Sequence, residues 1–194
     1  MLDKFIEFTH SLFPSIDPYT KEHTKDAIKQ FQDTGRTINY LNFKPFGFLA
    51  QGDILDGIMF VRLNNVGEIE AYSGKGMIIS NTCSADHDEA VLIAPLFKIS
   101  DLGLKVDNIK SNLHFRLFYL PDDKYSNYVV DFSMMNTFNK SLLTNMINEK
   151  KINKESSLNQ MGFYLLIAKL TVCFMRPEDR GVQNSRRCDF LRQH

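Results

Sequence analysis

Tryptophan is absent, cysteine occurs three times, and 23 Lys+Arg against 23 Asp+Glu leave a formal net charge of zero. Balanced charge excludes the simplest nucleic-acid reading, a uniformly basic domain, but a sum hides any local patch. Cys83, Cys173 and Cys188 are odd in number and far apart, so no disulfide framework is expected and a reducing cytoplasm is the natural home. Long hydrophobic runs are missing too. The most apolar stretch, Met161 to Met175, contains Lys169 and is shorter than the roughly 20 apolar residues of a bilayer span. Asp3, Lys4 and Glu7 interrupt the N-terminus, which excludes a secretory signal and leaves no membrane partner to expect. No repeat or low-complexity tract is visible.

What is present is ordinary core material: 43% hydrophobic residues, sixteen of them Phe, more than a disordered chain carries. Leu2, Phe5, Ile6, Thr9, Leu12 and Phe13 recur at helical spacing. Pro14 closes that helix. Asp17-Pro18 opens a second, which runs to Gly35. From Gly52 the pattern shortens. The runs 52–63, 76–80, 91–94, 113–119 and 128–132 read as strands without helical crossovers, hence a small antiparallel barrel or sandwich. Asn139 caps a helix carrying Leu142, Leu143, Met146 and Ile147. The polar stretch 148–157 reads as a solvated linker. A long apolar helix then spans 158 to about 176, before a polar tail.

Three pieces occur in order: Gln51-Gly52-Asp53-Ile54, Gly76-Met77-Ile78-Ile79-Ser80-Asn81, and Val91-Leu92-Ile93-Ala94-Pro95-Leu96. A fourth, Val130-Asp131-Phe132 through Thr137 with Asn139-Lys140-Ser141-Leu142-Leu143, follows. Together they resemble the PemK/MazF/Kid-like toxins over roughly residues 51–147. The resemblance implies an SH3-like barrel at 51–147; around it the residue patterns give a helical extension at 1–50 and a C-terminal helix with basic tail at 148–194. It also implies a cytoplasmic toxin or antiphage-defence protein that acts on single-stranded RNA, as a metal-independent endoribonuclease without cofactor. An antitoxin or defence-system partner and a homodimer would accompany that role. The alternative is a catalytically silent barrel that binds a partner protein or nucleic acid.

Metal-independent cleavage needs a proton acceptor for the 2′-hydroxyl, a donor for the leaving oxygen and a cation for the phosphorane. The family's Arg before the second strand corresponds to Lys75, which lacks the bidentate fork. Phe97 stands where the family has a hydroxyl after the third strand, and Ser100 is the nearest substitute. Thr82 and Asp131 are further candidates at the rim. Asp131 has a plainer role available, pairing with Arg116.

His114 and Arg116 lie two apart on an expected strand and would share a nucleic-acid face. Tyr125 and Tyr128 flank a turn and are expected at the surface. Cys83, Asp86 and His87 form the densest reactive loop. They read as a nucleophile with its base, as metal ligands, or as a polar hairpin loop around a small buried Cys. The last is preferred, because Cys-x₃-His supplies only two ligands. Finally, residues 150–194 carry a net of +5 and residues 1–149 a net of −5. Arg176, Arg180, Arg186 and Arg187 are therefore candidate phosphate contacts, or hold the tail against an acidic surface.

Overall fold

A computed structural model describes residues 39–82, 88–175 and 179–185, together with Asp26 and Lys29. Asp26 and Lys29 are helical and exposed; the rest of the two expected N-terminal helices lies outside the described residues. The described part is mainly β, with helical additions. Seven strands form one antiparallel sheet: β1 (Ile54–Leu63), β2 (Ile69–Ile78), β3 (Ala90–Lys98), β4 (Leu117–Phe118), β5 (Tyr128–Asp131), β6 (Asn136–Asn139) and β7 (Asn153–Ser156). The helices are α1 (Val106–Lys110), α2 (Lys140–Asn148), α3 (Gln160–Phe174) and α4 (Arg180–Ser185). Among the described residues no helix is long and apolar enough to cross a membrane.

The sheet order is β4-β5-β3-β2-β1-β7, with β6 also on β3. Ile93 pairs with Ile78 and Asn136, and Leu96 with Lys75 and Val130. Each residue has two sides, so β5 and β6 must both run along the edge of β3 away from β2. They are one strand broken by the 3-10 turn Phe132–Met134. Asp131 caps that turn, accepting from Ser133 N at 2.9 Å. The sheet curls until the Val61 N–H donates to Oδ1 of Asn136 at 2.7 Å, but it does not close.

Alternation along the strands sorts the two larger of three buried cores. Leu55, Ile58, Phe60, Ile78, Val91 and Ile93 face Leu143 of α2 on one side. Ile54, Met77, Ile79, Ala94, Leu96 and Val130 face Leu165 and Leu166 of α3 on the other. The bend in β1 that serves both is a bulge between Leu55 and Ile58. Gly57 sits there at φ +87°, a conformation open to glycine at no steric cost. At Gly162 the reason for glycine is space. A Cβ there would lie 2.4 Å from the carbonyl oxygen of Tyr40, so α3 packs directly on the backbone of the entry segment.

Three sequence expectations need correction. The stretch 148–157 is not simply a solvated linker: β7 lies within it and pairs with Ile54–Asp56 of β1. Residues 113–116 are not strand, and only Leu117–Phe118 pairs, so His114 and Arg116 do not share a strand face. Tyr125 is buried, with 2% of its surface exposed. By contrast, the Asn139 cap is present, its side chain accepting from Leu142 N.

Candidate functional site

The three resembling pieces converge at one end of the sheet. The Gly52 N–H donates to Ile78 O, and the Ile78 N–H to Asp53 O. Gln51 donates its side-chain amide to Ile79 O at 2.8 Å and its backbone N–H to Oγ1 of Thr82 at 3.1 Å. Ser80 Oγ accepts from Leu92 N at 2.8 Å. Thr82 thus acts here as a hydrogen-bond acceptor that fixes the first motif to the second.

Asp53 is fully buried and receives Ala50 N at 2.8 Å, Ser157 Oγ at 2.5 Å and Lys154 Nζ at 2.5 Å. Lys154 also donates to Phe48 O. Burial pushes the Asp53 carboxyl up, and these donors pull against it. The cluster is a staple joining the entry loop, β1 and β7.

Lys75 is inside β2 rather than before it. Its Nζ lies 2.7 Å from Oε1 of Glu155 and 3.1 Å from Oδ2 of Asp56. Burial alone would lower this amine, but the two carboxylates outweigh it and hold Lys75 above the usual lysine value. It therefore stays protonated. The other oxygen of Glu155 accepts from the Tyr125 hydroxyl at 3.1 Å. That hydroxyl also pairs with Ser156 Oγ at 2.9 Å. Burial, together with the nearby Glu155 charge, raises Tyr125 far above an ordinary tyrosine. Lys124 completes the group, donating to Glu155 O and Ser156 Oγ at 3.0 Å each. The sequence singles out Lys75 of this group but not Glu155, Ser156, Lys124, Tyr125 or Asp56. Three of these come from a stretch read as linker or from a buried ring read as surface.

This group borders a cavity of about 590 Å³ whose lining includes Glu155, Ser156, Lys124, Asp123, Asn42 and Phe43. A second cavity of about 450 Å³ is lined by Lys98, Ser100, Lys110, Asn127 and Tyr128, with Ile99 and Val106. Lys75, Leu96 and Val130 stand in one row across β2, β3 and β5, and the Lys98–Tyr128 pair is two residues along. Period-two alternation therefore gives Lys75 and Lys98 the same face. Ser100 is exposed beside the two lysines and donates to Asp101 at 2.7 Å.

The remaining candidates lie elsewhere. Asp131 follows Val130 and so faces the opposite side from Lys75. It is 2% exposed, binds the Ser133 hydroxyl at 2.6 Å, and faces Arg116 at 3.6 Å. Pairing with Arg116, its plainer role, is what the geometry provides. His114 offers its backbone carbonyl to Lys169 Nζ at 2.7 Å, alongside Asn112 O at 2.6 Å. Its Nδ1 is buried and unpartnered. Arg180 is exposed on α4. Arg176, Arg186, Arg187, Cys83, Asp86 and His87 lie outside the described residues.

Compared with protein-family models and with curated proteins, the chain matches none of them.

Proposed function

We propose that the chain is a divergent PemK/MazF-like protein, its curled sheet an SH3-like barrel, that cleaves single-stranded RNA without metal. The observation that carries this reading is the Lys75–Glu155 contact of 2.7 Å, a protonated amine and a carboxylate joined by one hydrogen bond beside a cavity of nucleotide size. Glu155 takes the proton from the 2′-hydroxyl. The 2′-oxygen bonds to phosphorus and the bond from phosphorus to the 5′-oxygen breaks. Lys75 gives its proton to that leaving oxygen and recovers one from Glu155 across their hydrogen bond. The products are a 2′,3′-cyclic phosphate and a 5′-hydroxyl, and both side chains return to their starting charge. Lys75 and Lys124 stabilise the phosphorane. Lys98 and Lys110, in the cavity with Ser100, suit the backbone phosphates of the flanking nucleotides.

A second reading keeps the barrel and drops the chemistry. Asp56 and Glu155 together already neutralise Lys75, which favours a silent module that binds nucleic acid or a partner protein. Incubation of RNA with the protein in chelator separates the two. The enzyme leaves cyclic-phosphate ends, and the module leaves intact RNA.

A further inference from the structure

We propose that the cavity beside Glu155 is a nucleobase subsite that selects guanine. The proposal rests on the RNA reading above and adds which base the site takes. The cavity has a volume of about 590 Å³, in the range of small-molecule sites. Three features of its lining carry the inference.

Phe43 is 96% exposed and lies on the wall of the cavity. An aromatic ring left in solvent at a cavity wall is a platform on which any base can stack. Pro45, Pro121 and Leu41 supply further apolar lining.

The second feature concerns the acceptors. Asp122 is half-buried and already accepts the Lys124 N–H through Oδ1, and both oxygens of Glu155 are bonded. Asp123 is the exposed carboxylate of the lining, and among the described residues its side chain has no partner. An unpaired carboxylate accepts best from two parallel N–H groups. Guanine is the base whose Watson–Crick edge offers an adjacent ring N–H and amino group, and single-stranded RNA exposes that edge.

Third, charge is uneven across the cavity: the exposed Asp123 carboxylate repels a phosphate from its own end, while Lys124 stands at the Glu155 end. The base, not the backbone, therefore takes the Asp123 end. The phosphate is left to Lys124 at the Glu155 side and to the lysine-lined cavity on the same face as Lys75.

The test uses the full chain and two probes: the four nucleoside 3′-monophosphates, titrated by calorimetry, and four single-stranded RNAs that differ at one base. Guanosine 3′-monophosphate should bind tightest. Phe43→Ala should weaken all four nucleotides about tenfold. Asp123→Asn should remove the guanine preference, with the other three unchanged. Both positions are exposed, so folding is not at stake. Equal affinity for the four nucleotides, or affinities indifferent to both substitutions, overturns the proposal. Guanylate binding that depends on Phe43 and Asp123, without RNA cleavage, upholds the subsite and sinks the nuclease reading. Cleavage indifferent to both residues sinks the subsite and leaves the nuclease reading standing.

Discussion

Lys75 on β2 and Glu155 on β7 are eighty residues apart in sequence and meet at 2.7 Å. The two strands do not pair: β1 lies between them in the sheet. The long lysine side chain reaches along the face, where Asp56 of β1 takes its second bond.

That contact makes the first prediction. Glu155→Gln keeps the size and loses the base, so the rate of RNA cleavage should fall about 10²–10⁴-fold. Lys75→Ala should fall comparably, and Lys75→Arg should retain the cation while losing the proton donor. Initial rates on one RNA, with circular dichroism to verify folding, check all three.

A second prediction concerns the phosphate-facing lysines. Lys98→Ala and Lys110→Ala should weaken RNA binding evenly across sequences. Each should also reduce the slope of log affinity against log salt by about 0.7, the value for one phosphate contact on a single strand. Anisotropy of a labelled 2′-O-methyl RNA at several salt concentrations measures it. An unchanged slope in both variants removes that cavity from the RNA path.

Much of the strand pattern could be read from residues, because β3 and β5 carry continuous apolar runs and β1 alternates buried Ile58 and Phe60 with exposed Met59 and Val61. The cap at Asn139 was equally legible, since a side chain bonding three residues ahead is local chemistry. β7 was not. Its residues Asn153–Ser156 are polar because the strand lies at the sheet edge, and polarity at an edge looks the same as polarity in a linker. Tyr125 was misread for a related reason. The 3-10 turn Asp123–Tyr125 is polar at its start, and only the fold shows that its last ring turns inward. Glu155 and Tyr125 enter the proposed site through long-range contacts, so of that group the sequence singles out only Lys75.

The buried staple should matter for stability. Asp53→Ala removes the acceptor for Ala50 N, Ser157 Oγ and Lys154 Nζ, and leaves a lysine nearly enclosed without its counter-charge. Losing one partner of such a pair costs about 3–5 kcal/mol. Urea unfolding followed by far-ultraviolet circular dichroism should show the midpoint fall by that equivalent. A change under 1 kcal/mol contradicts the assignment.

Lys169 gives a pH signature. It is 6% exposed, bonds two backbone carbonyls, and burial lowers its amine to about 8 against a small opposing effect of Cys173. Below pH 8 the amine is charged in both folded and unfolded chains, and the burial cost is fully present. As pH rises from about 8 towards 10.5 the folded chain sheds the proton first, and the cost is relieved. Wild-type stability should therefore improve relative to Lys169→Met across that interval, by an amount on the order of 3 kcal/mol. Thermal unfolding of both proteins at pH 7, 8, 9 and 10 reads the difference. A gap that does not move with pH rules out the buried charge as its source.

The most direct test of the central claim is the end chemistry of RNA incubated with the wild-type chain and with Glu155→Gln in chelator. The account predicts 2′,3′-cyclic phosphate and 5′-hydroxyl ends from the wild type, and their near-complete loss in the variant. Intact RNA at high wild-type concentration, or undiminished cleavage by Glu155→Gln, contradicts it.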